Sequence, residues 1–295
     1  MEILVLFTSH RVEMLKHFEE EALKMDLIII EEPRDEYFEK MLKGDISVEM
    51  YVKNLNTSFP VYSKYQCELL KRLYRMGKRI LQIEPYLEVL EKIHKAIEIG
   101  KIDEVLKDKK TSKVREIERR VNKAWIEYQE AFLRKDFDAL VDITIEFSKV
   151  DAERFRVRDL MRAKGIAEVI DDNALVEAGQ IHILLPKYLE DLGFDVSVKS
   201  LPELIAKKLG VELYQNPGNV LTMKFMLNED ISDKEAKLLA ARGLVYISLI
   251  PKRELIPSKH DEYPHFIREN KVARIVNKLN YDECKNLFYK IWQRG

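Results

Sequence analysis

Histidine is scarce in this chain, with six in 295 residues, and two of the six stand just beyond apolar runs. His10 follows the run at 3–7, and His182 follows the run at 174–178. Carboxylates mark comparable places. Glu31 and Glu32 close the run at 27–30, Glu84 closes the run at 79–83, and Glu177 lies within the fourth run. Two imidazoles with several carboxylates are a donor set for a divalent transition metal such as Mn, Zn or Co, with His10, Glu31 and His182 as ligands. The same groups can instead polarise a water as a general base. Taken one at a time, they are also ordinary helix caps and turns, as Glu32-Pro33 and Glu84-Pro85 illustrate.

What makes these residues one site is the set of elements that must carry them. The runs at 3–7 and 27–30 are short and continuously apolar, the pattern of strands buried on both faces, and 79–83 and 174–178 also have strand character. Between the first two, Met14, Leu15, Phe18, Ala22 and Leu23 recur at helical spacing. Strand, helix and strand within about 30 residues form a βαβ unit with a right-handed crossover. Parallel strands finish at one edge of the sheet, where ligands of open α/β sheets gather, so His10 and Glu31/Glu32 should approach each other there. Residues 34–76 read as helical with a turn near 54–60, and 86–170 as a long helical region broken near Gly100 and 107–112. A further helix toward Gly193, a strand at 194–198 and a helix at 202–209 complete this part. Beyond 211 the pattern predicts strands at 220–227 and 244–250 around a helix at 233–242, a polar loop holding His260 and His265, and a closing helix at 281–292. The expected fold is α/β, a mainly parallel sheet with βαβ units and a large helical insertion, plus a small C-terminal α+β extension. The expected domains are 1–210, with the insertion at about 34–170, and 211–295.

A second cluster lies at 153–166. On a helix Arg154 and Arg158 share a face, as do Phe155 and Asp159. A guanidinium binds carboxylates in bidentate fashion, which suits Arg158 to an anionic substrate or a carboxylate ligand; the alternative is a set of surface ion pairs. The order Arg158-Asp159-Leu160-Met161, then a strand closing in Gly179-Gln180-Ile181-His182, resembles the superfamily of erythromycin esterases, ChaN-like haem-iron-binding proteins and TraB/Tiki proteins. Phe7-Thr8-Ser9-His10 corresponds to that superfamily's first Gly-x-x-His, with Phe7 in place of glycine, and Glu31 or Glu32 to its acidic residue. The resemblance covers about residues 1–195. It implies lactone or ester opening, metal-dependent peptide cleavage, or haem binding, depending on the branch.

Composition bounds the rest. With 46% hydrophobic and 34% charged residues, the chain can build a sizeable core. Fifty Lys+Arg against 51 Asp+Glu give no bulk attraction for nucleic acid, and no apolar stretch reaches membrane-spanning length. The N-terminus reads as a strand rather than a signal peptide, and two lone cysteines fit a cytoplasmic protein. Dense, balanced charge and only 10 Gly suit a thermophile. The chain contains no Walker loop, dinucleotide glycine fingerprint, His-Glu-x-x-His, Cys-x-x-Cys or nucleophile-elbow serine. The expected activity is a metal-dependent hydrolase acting on an amide or ester of a small molecule or peptide. His10 and His182 are ligands or acid–base groups, Glu31 and Glu84 bind metal or activate water, and Arg158 orients an anion with Asp159 as its partner. Glu32 and Glu177 stand behind them. The alternative is a regulatory protein that holds haem, a metabolite or a signal in the same pocket. The charged helices at 86–170 offer a surface for a homo-oligomer.

Overall fold

The computed structural model describes residues 2–55 and 57–293; Asn56, inside the expected turn at 54–60, lies outside them. In chain order, β1 (Glu2–Thr8) is followed by a single 3-10 turn and α1 (Leu15–Ala22), then β2 (Leu27–Ile30). Next come α2 (Glu36–Lys43), α3 (Val48–Asn54), α4 (Pro60–Arg75) and β3 (Arg79–Gln82). The insertion holds α5 (Pro85–Glu98), α6 (Ile102–Val105), α7 (Lys109–Leu133) and α8 (Phe137–Ala167). The sheet resumes with β4 (Ala174–Gly179), α9 (Leu185–Asp191), β5 (Asp195–Ser200) and α10 (Leu201–Leu209). The tail comprises α11 (Pro217–Met226), α12 (Asp233–Leu249), α13 (Pro264–Val276) and α14 (Tyr281–Trp292). No described helix is long and apolar enough to cross a membrane.

The chain divides into two compact units. The first, Met1–Glu88 with Arg158–Leu213 and Lys252–Phe266, contains the sheet. All five strands are parallel, in the order β3-β2-β4-β1-β5. The expected α/β architecture with a parallel sheet and a helical insertion is therefore present. Strand residues alternate between faces. Leu4, Leu6, Ile28, Ile30 and Leu175 pack with α1–α4 and α10 on one side. Ile3, Val5, Leu27, Ile29, Val176 and Ala178 pack with the end of α8 and with α9 on the other. The half-buried Phe7 belongs to this second face. β4 inserts between β1 and β2, so the two strands of the N-terminal unit are parallel but not adjacent. The loop after β1 leads to α1 on one face and the loop after β4 leads to α9 on the other. Neighbouring strand ends that diverge in this way leave a crevice, the usual ligand position in open α/β sheets.

The second unit, Val89–Val157 with Tyr214–Pro251 and Ile267–Gly295, is built of helices joined by turns, with no strand among its described residues. Ala131, Phe137 and Leu140 from the insertion share a core with Leu221, Ala240 and Phe288 from the tail. The tail is thus not the α+β extension expected at 211–295. The runs at 220–227 and 244–250 belong to α11 and α12. A short run of apolar residues does not distinguish a strand from a buried helix, and the caps decide here. Asn216 accepts from Gly218 N with Pro217 at the first helical position, and Ser232 accepts from Glu235 N. The expected polar loop yields α13, with Pro264 at its start.

Burial sets the energetic scale of the sheet. Ile29 in β2 is fully buried, whereas Val198 in the edge strand β5 is 49% exposed. Ile29→Ala should cost about 2–5 kcal/mol of unfolding free energy in urea titrations, and Val198→Ala less than about 1 kcal/mol.

Candidate functional site

Each site residue belongs to the sheet unit, and most stand at the carboxyl edge. β1 ends at Thr8, and the chain turns sharply through His10, whose φ of 50° lies in the left-handed region that non-glycine residues rarely adopt. Strain of this kind persists only where surrounding structure fixes it, and it concentrates at functional positions. β4 ends at Gly179, level with Thr8 in the register. Gly179 separates the two imidazoles. A Cβ placed on it would lie 3.4 Å from His10 Cε1 and 3.7 Å from His182 Cδ2.

Glu31, at the end of β2, is the hub. Its Oε1 accepts from His182 Nε2 at 2.8 Å and lies 3.3 Å from the Arg158 guanidinium. Its Oε2 accepts from Gly179 N at 2.6 Å, with Arg162 at 3.7 Å and His10 Nε2 at 4.0 Å. The other nitrogen of His182, Nδ1, meets Asp159 Oδ1, while Asp159 Oδ2 accepts from Leu184 N at 3.1 Å. Asp159 therefore orients His182, rather than serving chiefly as the partner of Arg158. Glu84, fully buried, lies 3.4 Å from Arg158 and 4.0 Å from Arg162. The structure thus brings His10, Glu31, Glu84, Arg158, Asp159, Glu177 and His182 to one edge. Glu84 sits behind two guanidinium groups, which does not suit the water-activating role expected of it.

Three participants carried no sequence signal strong enough to single them out. Arg162, one helical turn beyond Arg158, is fully buried; its Nε donates to Ile83 O at 3.0 Å and its guanidinium donates to Glu177 O at 2.6 Å. It ties the chain after β3 to β4 across the intervening β2. Tyr62 and Gln66, one turn apart on α4, reach the Glu177 side chain from the other face of the sheet. The Tyr62 hydroxyl donates to Oε1 at 2.8 Å, and Gln66 Nε2 lies 3.0 Å from both oxygens. The Tyr62 ring stands 5.7 Å from the His10 ring. The i, i+4 spacing of each pair was readable, but not its destination.

These surroundings push the titrations apart. Burial opposes charge on His182, yet Glu31 and Asp159 outweigh it and raise the imidazole to about 9. Burial likewise raises Glu31, but His182, Arg162 and His10 overcome this and hold it well below the usual carboxylate range. Burial pushes Glu177 up, with Glu31 adding to the effect and His10 and Tyr62 opposing it. Burial, reinforced by Glu177, Glu31 and Glu84, pushes Glu32 up to about 8.

The donor set does not fit a resident metal. Both nitrogens of His182 are engaged by carboxylates, Nδ1 by Asp159 and Nε2 by Glu31, which leaves neither open to a metal in this arrangement. Both Glu31 oxygens are engaged by donors or cations. Of the expected ligands His10, Glu31 and His182, His10 alone has a nitrogen not committed in this way. Among the described residues no group of three or more His, Cys, Asp or Glu is arranged to hold a metal ion. His260 and His265 of the tail do not join the site; His265 Nε2 accepts from Leu255 N at 2.7 Å.

Two measurements probe this network. Removing a buried charge strands its partners, so Arg162→Ala should lose about 3–5 kcal/mol in denaturant titrations. Glu32 binds a proton more tightly folded than unfolded, so the native protein loses stability as pH rises from about 4.5 to about 8. Glu32→Gln should therefore gain in melting temperature relative to the native chain across that window, with the gap constant above it.

No family model matches the chain, and no solved structure matches it. A protein of Archaeoglobus fulgidus, described as an uncharacterised protein, is 40% identical over 288 residues, spanning 98% of both chains. Identity at that level over essentially the whole length makes the two homologous, and this chain belongs to the same family as the A. fulgidus protein.

Proposed function

We propose that this protein is a hydrolase that cleaves an ester or amide by general acid–base chemistry at the carboxyl edge of its sheet. The observation that carries the reading is the division of labour between the two imidazoles. His182 is buried and locked by Asp159 and Glu31, whereas the His10 side chain keeps 31% of its surface exposed and lies 4.0 Å from Glu31. A fixed imidazolium and an open imidazole on one carboxylate suit proton transfer. His10 takes a proton from water as the water oxygen attacks the substrate carbonyl, and Glu31 stabilises the imidazolium that forms. Arg158, with 13% of its side chain exposed, supplies positive charge for the developing oxyanion. Glu32, partly exposed and protonated at neutral pH, returns a proton to the leaving oxygen or nitrogen as the carbonyl–leaving-group bond breaks. No step passes through a metal. The motif order shared with the erythromycin esterase, ChaN-like and TraB/Tiki superfamily supports the reading, because its Arg-Asp helix and both of its histidines belong to this cluster. A cytoplasmic location and a small-molecule or peptide substrate belong to the same proposal.

The test is a panel of aryl esters, lactones and acylated amines, assayed before and after chelator treatment. Turnover should survive chelation, and His10→Ala should lower kcat/KM by about 10²–10⁴-fold. Activity lost to chelator and restored by Mn, Zn or Co would overturn the metal-free route. No turnover, together with a Soret band from added haemin that disappears in His10→Ala, would establish the binding alternative instead.

A further inference from the structure

The residue that starts α4 is Phe59, which offers no side-chain cap, and Pro60 at the first helical position has no N–H. The Ser63 N–H already donates to Phe59 O at 2.9 Å. The N–H groups of Val61 and Tyr62 in the first turn have no partner within the helix and therefore take an acceptor from elsewhere. That acceptor is Glu254, 192 residues further along the chain, in the stretch Lys252–Phe266 that returns to the sheet unit. Its Oε2 accepts from Val61 N at 2.9 Å and its Oε1 from Tyr62 N at 2.8 Å. A carboxylate bound bidentately at the positive end of a helix is a strong anchor.

The anchored backbone is that of Tyr62, whose hydroxyl donates to Glu177 and whose ring lies beside His10. Gln66, a full turn deeper, holds Glu177 without help from the cap. The stretch carrying Glu254 is itself fixed to the sheet unit. Tyr263 reaches His17 Nε2 at 2.9 Å and accepts from Lys208 at 2.6 Å, and Glu13 accepts from the backbone N–H groups of His265 and Phe266 at 2.9 and 2.6 Å. A fixed segment can hold a helix start in place, and displacements of about 1 Å near a reacting centre cost as much as 10²-fold in rate.

We propose that Glu254 is a positioning residue of the site, acting through Tyr62 to hold the Glu177 carboxyl and the His10 ring in register. The proposal rests on the acid–base reading above for its kinetic consequence, but its structural content is measurable without turnover. With tyrosine labelled at ¹³Cζ, the Tyr62 signal, assigned by its absence in Tyr62→Phe, should shift in Glu254→Ala. A Tyr62 signal unmoved by Glu254→Ala overturns the proposal, whether or not any substrate is turned over.

Kinetics then separate positioning from general damage. On an ester substrate, Glu254→Ala should lower kcat about tenfold or more with little change in KM, and Glu254→Gln, which keeps one acceptor oxygen, should fall between. In a Tyr62→Phe background the same Glu254→Ala change should cost less than about threefold, because the hydroxyl it positions is already gone. Equal losses in both backgrounds would mean that Glu254 does not act through Tyr62 and would overturn the proposal. Absence of turnover in the native protein would overturn the hydrolase reading and leave the labelled-tyrosine result to decide the positioning claim.

Discussion

The arrangement depends on a guanidinium that has no access to water. Arg162 is fully buried at the carboxyl edge of the sheet, where a charge must be compensated by nearby groups. Its partners are the carbonyls of Ile83 and Glu177, together with the nearby carboxylates of Glu31 and Glu84. Meeting that demand brings the ends of β3, β2 and β4 to one point and fixes the acids around it. Arg158, a turn earlier on α8, extends the same compensation to the rim. The electrostatics of the site are consequences of this choice: Glu31 is held low by cations on several sides, whereas Glu32, surrounded by other carboxyl groups, is pushed up.

Topology supplies the second requirement. Because β4 lies between β1 and β2, the loop ending in His182 enters between His10 and Glu31, and Gly179 lets the two imidazoles approach from either side. Residues from both faces then converge on a single edge. Arg158, Asp159 and Arg162 come from α8 on one face, while Tyr62 and Gln66 come from α4 on the other. A carboxyl group such as Glu177, which faces neutral donors on its side chain, differs in character from Glu31 although the two stand on neighbouring strands. Two environments for one residue type at one edge of the sheet are what acid–base chemistry needs.

The part of the molecule outside the sheet unit is a helical core shared by the insertion and the tail. The tail also sends Lys252–Phe266 back to the sheet unit, where Glu254 completes a helix start that the local sequence leaves open. Segments remote in the chain thus finish one another's hydrogen bonding. The first N–H groups of a helix have no partner within it, and here the nearest residues do not supply one.

The strands, their direction and the residues at their ends were legible in the sequence, because continuous apolar runs and Pro- or Gly-marked turns are local properties. His10, Glu31, Glu84 and His182 were recognisable for the same reason, as chemistry-bearing residues beyond apolar runs, and Arg158 by its place beside Asp159 on a helix. The tail was misread because 220–227 and 244–250 carry apolar residues in close succession, the exposed Leu227, Ile247 and Leu249 among them, which blurs the periodicity that separates a helix from a strand. Strand order, the roles of Arg162, Tyr62, Gln66 and Glu254, and the engagement of His182 on both nitrogens depend on packing between segments tens to hundreds of residues apart. Side-chain type and spacing determined which groups could react; only the tertiary structure decided which charges are buried together, and so which imidazole is locked and which is left open to solvent.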